Sequence, residues 1–212
     1  MKLWGSSDIG VVRQENQDTY MLHELEDGAL LVVCDGMGGA KGGSTASSTA
    51  SHAFAEAVEQ GYQKNMKPSE MADLVALAAT KANAAVYQAA RQDPSLSGMG
   101  TTLVCLLAQG MDAIVGNIGD SRAYLIDEEG MRQVTHDHSL VAEMVRRGEL
   151  SSREASRHPN KNVITRALGV ESNVSCDVFP LSLKKGQYVL LCSDGLTNEV
   201  SEPEIYYEVF QS

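Results

Sequence analysis

The sequence predicts a mixed α+β fold, and three observations point there. Two long helical stripes follow one another directly, several short apolar strands flank them without alternating with helices, and no repeat, low-complexity tract or Pro/Ser-rich linker divides the chain. With 212 residues, 43% of them hydrophobic, the chain can bury one substantial core and falls within the size of a single domain, 1–212.

Each element has a local reason. A first strand is expected at Asp8 to Val12. The run Ala29 to Cys34 (ALLVVC) predicts a short buried strand that ends at Asp35-Gly36. From Ser44 to Gln60, Ala46, Ala50, Ala53, Phe54, Ala57 and Val58 recur at helical spacing, and Gly61 supplies a stop. A second helix is predicted from near Ser69 to Arg91, with Pro68 before it and Met71, Leu74, Ala78, Ala82, Ala85, Val86 and Ala89 on one stripe. Thr101 to Leu107 and Ala113 to Ile118 read as strands, the latter turning at Gly119-Asp120-Ser121 into a hairpin-like partner over Arg122 to Ile126. Residues 137–169 are polar and partly helical, with a short helix from Ser139 to Arg147 and a capping box from Ser151 to Glu154, and read as an inserted surface subdomain. Gln187 to Cys192 is a last apolar strand, ending at Ser193-Asp194-Gly195.

Composition excludes several functions. A net charge of −11 disfavours a protein that tracks a nucleic-acid backbone, which needs clustered Lys and Arg. The N-terminus lacks the apolar core of a signal peptide and no apolar run approaches the ~20 residues of a membrane span, so the expectation is a cytoplasmic protein with no membrane partner. Cys34, Cys105, Cys176 and Cys192 show no CxxC or zinc-ribbon spacing and read as reduced thiols, three of them within apolar runs.

Three places share one design, an apolar strand that delivers an aspartate with glycine beside it: Asp35-Gly36, Gly119-Asp120 and Asp194-Gly195. Any one of these is an ordinary turn signal; together they suggest carboxylates gathered at one sheet rim, where they repel unless cations neutralise them. An all-oxygen donor set suits Mg²⁺ or Mn²⁺, and a neighbouring glycine leaves its carbonyl open as a further ligand. The stretch from Gly36 to Ser44 is glycine-rich but fails the phosphate-loop pattern, because Lys41 is followed by two glycines; a tight turn that lets a metal or phosphate approach is the better reading. No GxSxG elbow is present, and no DxD motif lies near Asp35, so the usual markers of covalent catalysis are missing. His136 and His138 could face one way around Asp137, but no third soft ligand is near, and structural hydrogen bonds explain them better than zinc. Arg13, close to Asn16, Gln17 and Asp18, is either an exposed loop arginine or a planar grip for phosphate.

Taken together, SDIGVVRQENQD, VVCDGMGGAKGG, GMGTTLV, GNIGDSRAYLI, QVTHDHSLVAEMVRRGELSSREASRHPNKNVITRALG and YVLLCSDGLTNEV resemble, in order and over nearly the whole chain, the type 2C metal-dependent protein phosphatases (PPM), especially their small bacterial members. The resemblance implies a four-layer α/β/β/α sandwich of two antiparallel sheets flanked by helices. It implies that Asp35 bridges two metals, that Gly36 gives a carbonyl oxygen to one, that Asp194 is a direct ligand and that Asp18 acts through water. Asp120 with Asp194 matches the holders of a third metal, Arg13 the phosphate-binding arginine, and 137–169 the flap beside the site. The implied reaction is hydrolysis of phosphoserine and phosphothreonine in proteins, with Asp35, Asp194 and Arg13 as catalytic residues. Two core Mn²⁺ or Mg²⁺ ions present a bridging hydroxide, and the substrates are phosphoproteins made by a bacterial serine/threonine kinase.

The pattern is not complete. Met37 stands where animal relatives carry a histidine proposed as general acid, Ala40 stands where many bacterial members have histidine, and Gln17 replaces a glutamate of some relatives. The family continues beyond the segment matching Ser201 to Gln211 with a helix and a last strand, headed by an Asp-Asn pair whose aspartate binds a core metal. The sequence ends at Ser212 without them, which predicts a shortened chain. An alternative follows, a phosphatase-like binding or regulatory module with impaired catalysis.

Overall fold

A computed structural model describes residues 1–211; Ser212 and the side chains of Ala40 and Gln211, and with the former the Ala40 expectation, lie outside the described residues. Among the described residues, nine strands form two antiparallel sheets. The first holds β1 (Asp18–Glu24), β2 (Gly28–Met37), β4 (Leu103–Gln109), β5 (Asp112–Ile118) and β8 (Asp177–Ser182) in the order β1-β2-β4-β5-β8, with the two-residue β3 (Gly100–Thr101) also on β2. The second has the order β7-β6-β9, from β6 (Arg122–Asp127), β7 (Gly130–Gln133) and β9 (Tyr188–Cys192). Two long helices, α1 (Gly39–Gly61) and α2 (Pro68–Gln92), cover the first sheet. The short α5 (Asp194–Thr197) and then α6 (Glu202–Gln211) lie against the second. The expected four-layer sandwich is what these residues build.

Strand β4 shows why. Its sequence is apolar throughout because both faces are buried: Leu103, Cys105 and Leu107 pack with Phe54, Val58, Met71, Val75 and Val86 under the helices, while Val104, Leu106 and Ala108 pack with Val115, Ala123, Leu125 and Val134 between the sheets. Outside the second sheet, Tyr124, Ile126 and Cys192 pack with Leu190, Leu196, Tyr206 and Val209. All four cysteines are free; Cys34, Cys105 and Cys192 are buried and Cys176 is half-buried. No helix among the described residues is long and apolar enough to cross a membrane.

Several expectations are corrected. Asp8 to Val12 is not a strand: Gly10 has φ 73° and its N–H donates to Asp8 Oδ1 at 2.6 Å, which closes a turn and leaves Val11 and Val12 in solvent. The strands β1 and β8, for which no sequence signal was strong, are the edges of the first sheet, and Pro180 is tolerated in β8 because that strand pairs only with β5. Strand β2 does not end at Asp35 but continues through Met37, so Asp35 lies inside the ladder, paired with Asp18. The glycine-rich stretch is less a loop than the beginning of α1, which starts at Gly39 after Gly38 at φ 115°. Most consequentially, β5 and β6 do not form a hairpin. The chain leaves the first sheet at Ile118 and enters the second at Arg122, so Gly119-Asp120-Ser121 is a crossing between sheets.

The stretch 137–169 contains α3 (Leu140–Arg146), capped by Ser139, and α4 (Ser152–Ala155), opened by the reciprocal bonds of Ser151 and Glu154. Its return is tied down where Thr165 N–H donates to the His138 carbonyl at 2.8 Å and Gly169 N–H to Asn83 Oδ1 of α2 at 2.8 Å.

Candidate metal centre

Four acidic side chains named from the sequence act on one another at one end of the sandwich. Asp35 is the central one. Its backbone is fixed on the β4 side, where its N–H donates to Thr102 Oγ1 at 2.9 Å and its carbonyl accepts from Thr102 N–H and Thr101 Oγ1, both at 2.9 Å. Burial, then the charges of Asp18, Asp194 and Asp120, push the Asp35 carboxyl up to about 8, and it shares a hydrogen bond with Asp194. Asp18 stands opposite it across the β1–β2 ladder and accepts from Ser193 Oγ at 2.7 Å. Asp194 opens α5 and accepts from Asn198 Nδ2 at 2.9 Å. Asp120 occupies the crossing between sheets, where burial first, then Asp194 and Asp137, push it up to about 6.

Gly36 is glycine for a steric reason. A Cβ there would meet the Gly43 carbonyl oxygen at 2.0 Å, because the N-terminus of α1 crosses β2 at this point, and the Gly36 N–H donates to the Gln17 carbonyl at 3.2 Å. Gln17 in turn donates its amide to the Gly39 carbonyl at 2.8 Å, which anchors the segment before Asp18 to the helix. Arg13 is exposed in the loop before β1, and no hydrogen bond or ion pair of its side chain holds it in place among the described residues. Thus Asp18, Asp35, Asp120 and Asp194 are brought together, Gly36 lies beside them in the same strand, and Arg13 is not engaged.

The arrangement fits hard divalent cations. Burial first, and then mutual repulsion, raise two of the four carboxyls, a cost that a bound cation offsets, and the donors are all oxygen. Among the described residues no group of three or more His, Cys, Asp or Glu side chains is placed to hold a metal ion as it stands, although Asp18, Asp120 and Asp194 are near enough for their charges to act on Asp35. A zinc role for His136 and His138 gains no support. His136 meets the edge of Phe179 with centroids 5.6 Å apart, and His138 is buried and fully bonded.

Sequence reasoning expected structural hydrogen bonds for His138, without saying to what, and missed the other residues that support the aspartates. His138 Nδ1 accepts from Gly119 N–H at 3.0 Å and its backbone N–H donates to the Gly119 carbonyl at 2.9 Å, which fixes the crossing that carries Asp120. With Nδ1 an acceptor, the proton sits on Nε2, 3.1 Å from Asp177 Oδ2. Arg122 grips Asp137 with bonds of 2.7 and 3.0 Å and reaches Tyr124 Oη at 3.1 Å. Thr102 and Ser121 join by their hydroxyls at 2.7 Å. The signal for Arg122 and Asp137 was their place in the GDSRAYLI and THDHS motifs; Thr102 and Ser193 carried none.

Comparison with known proteins gives the same answer as the geometry. The family described as protein phosphatase 2C matches residues 10–212. The serine/threonine phosphatase stp of Listeria innocua is 38% identical over 200 residues, covering 94% of this chain and 79% of its own length. The protein phosphatase PhpP of Streptococcus pneumoniae is 37% identical, with 94% and 80% covered. Among solved structures, the serine/threonine phosphatase Stp1 of Staphylococcus aureus superposes with a TM-score of 0.90 at 34% identity, covering 97% of this chain and 80% of that one. The catalytic domain of the phosphatase PstP, solved in complex with two manganese ions, gives 0.81 at 32% identity, with 98% and 83% covered. Two antiparallel sheets under flanking helices, carboxylates from both sheets meeting at one end, and these relatives agree: the chain belongs to the protein phosphatase 2C (PPM) family of serine/threonine phosphatases, in its bacterial branch.

Proposed function

We propose that this phosphatase is metal-dependent and that Asp18, Asp35, Asp120 and Asp194, with the Gly36 carbonyl, hold hard divalent cations for hydrolysis of phosphoserine and phosphothreonine in proteins. The observation that carries the reading is Asp35, whose carboxyl is raised to about 8 by burial and by three other carboxylates, a local excess of negative charge that a divalent cation removes. Two manganese ions in the PstP relative support Mn²⁺ as a resident metal, Mg²⁺ suits the same donors, and Asp120 with Asp194 is the pair suited to a third ion. When bound, the ions supply a water made acidic enough to attack phosphorus and positive charge for the phosphoryl oxygens.

The chain's own residues do the rest. Asp35 is positioned by Thr102 and Asp18 by Ser193, so the central donors are held in place before the substrate arrives. Arg13, exposed in the loop before β1, is free to swing onto the phosphoryl group, where a guanidinium binds two oxygens at once. Met37 has no proton to give, so the departing serine or threonine oxygen takes its proton from water. The whole of 1–212 serves as one phosphatase domain with 137–169 as its flap, in the cytoplasm, opposite a serine/threonine kinase that makes its substrates.

The test is hydrolysis of a phosphoserine peptide with and without Mn²⁺, beside Asp35→Asn and Asp194→Asn. Activity that needs the cation and falls at least about 100-fold in either variant is the expected result. A folded protein equally active after exhaustive chelation would overturn the metal-dependent reading, and one that binds phosphopeptide without turnover under any divalent cation would instead be a binding module.

A further inference from the structure

Gly119 has no side chain to anchor it, yet its backbone sets the direction in which Asp120 leaves the crossing between the sheets. Its φ of 104° is a conformation that glycine enters freely, so the bonds of its peptide groups decide whether it is kept. His138 makes two of them: Nδ1 accepts from the Gly119 N–H at 3.0 Å and the His138 backbone N–H donates to the Gly119 carbonyl at 2.9 Å. Asn117 Nδ2 adds a longer one to the same carbonyl at 3.3 Å. The first of the three depends on where a proton sits. Nδ1 accepts only while the ring carries its single proton on Nε2; the other tautomer sets N–H against N–H in a buried place, and the residue is buried. Which nitrogen holds the proton is decided by what the other side of the ring meets, and Nε2 meets Asp177 Oδ2 at 3.1 Å. Asp177 is itself well placed for this. It opens β8 directly opposite Asn117, on the strand that leads into the crossing. Its other oxygen, Oδ1, accepts from Arg166 Nη1 at 2.6 Å, and the same nitrogen donates to the Ser175 carbonyl at 3.3 Å, which fixes the rotation of the carboxylate.

We propose that Asp177 is a positioning residue of the metal centre: through the His138 ring and the Gly119 peptide it sets the aim of Asp120, and with it the affinity for the cation that Asp120 binds. The proposal rests on the reading of Asp120 as a metal ligand. Asp177 is not one of the donors of that centre, and its effect is confined to the one donor that the crossing carries. A residue that merely fastened β8 to its neighbours would loosen the whole end of the sandwich when removed, and all four carboxylates with it.

The experiment is calorimetric titration of the full chain with Mn²⁺, comparing the wild type with Asp120→Ala, Asp177→Ala, Asp177→Asn and the double variant Asp120→Ala/Asp177→Ala. Asp120→Ala identifies the binding step that needs Asp120. Asp177→Ala should weaken that same step about tenfold and leave the others within about twofold. Asp177→Asn, which keeps an oxygen to accept from Nε2–H, should lose less, and it carries the comparison if the alanine variant does not fold. In the double variant, the loss of Asp177 should add nothing to the loss of Asp120. Additive losses, a weakening of every step alike, or no change in the Asp120 step overturns the proposal. Two readouts on the metal-free protein test the chain of contacts directly. In Asp177→Ala the Gly119 amide should exchange its hydrogen about tenfold faster while the Val115 amide within β5 keeps its rate, and the ring ¹⁵N shifts of His138 should pass from the Nε2–H tautomer to a mixture. Unchanged exchange at Gly119 with an unchanged ring also overturns the proposal. If the folded wild type binds no Mn²⁺, the metal-centre reading is what fails, and the two metal-free readouts still decide whether Asp177 sets the Gly119 peptide.

Discussion

Ser193 Oγ donates to Asp18 Oδ2 at 2.7 Å, and this bond joins the first strand of one sheet to the junction of β9 and α5 in the other. Two donors of the proposed centre, Asp18 and Asp194, are thereby set by adjacent residues of one segment. Ser193→Ala should destabilise the metal-free protein by about 1 kcal/mol and weaken Mn²⁺ binding, while Ser193→Thr, which keeps the hydroxyl, should retain most of both. Denaturant unfolding and calorimetric titration read the two effects separately.

The Asp137 side chain is only 13% exposed where it accepts the Arg122 fork, and Arg122 is 29% exposed. Removing the carboxylate leaves a partly desolvated guanidinium without its acidic partner. Asp137→Ala should therefore cost about 2 kcal/mol in chemical denaturation, and Arg122→Lys, which keeps the charge but loses the two-pronged bond, about 1 kcal/mol. Equal stability of Asp137→Ala and the wild type would show that the pair is solvated.

Gly119 combines φ 104° with a Thr102 side chain 2.6 Å from any added Cβ, and Gly36 faces a backbone carbonyl at 2.0 Å. Gly119→Ala should cost about 2 kcal/mol or more and displace Asp120. Gly36→Ala should be the more damaging, because backbone rather than a flexible side chain must move. Unfolding midpoints of the two variants rank them.

Burial holds the His138 pKa below its ordinary value, against the opposing hydrogen bond to Asp177. A histidine depressed in the folded state contributes stability that is fully present above the unfolded pKa, about 6.5, and is lost as pH falls through the folded value. The raised carboxyls of Asp35 and Asp120 act in the opposite sense in the metal-free protein, so the useful quantity is a difference. His138→Asn, whose side-chain oxygen can still accept from Gly119 N–H, should be less stable than the wild type at pH 7.5 and should close that gap as the pH falls towards 5. A gap that widens on acidification would contradict a neutral, Nε2-protonated His138.

Much of this architecture was legible in the chain, for physical reasons that particular residues show. The run from Leu103 to Ala108 reads as a strand because both its faces are buried, and α2 reads as a helix because Met71, Leu74, Ala78, Ala82 and Val86 repeat on one side. Strands β1 and β8 were hidden because edge strands carry polar residues and, in β8, a proline. The passage from β5 to β6 was misread because a two-sheet crossing and a hairpin have the same local signal, glycine and aspartate between apolar runs; only the long-range pairing of β6 with β9 separates them. The aspartates were visible as a repeated motif. Their supports were not, since a threonine at the head of a strand or a serine before a helix has an ordinary local role, and their value here comes from contacts made across the sandwich.

The proposed chemistry requires Asp35 and Asp194 to share hard cations. A crystal grown with Mn²⁺ and measured at the manganese absorption edge should show anomalous peaks within coordination distance of both carboxylates, lost from those positions in Asp35→Asn. Manganese bound elsewhere, with these two side chains directed into solvent and no peak between them, would contradict it.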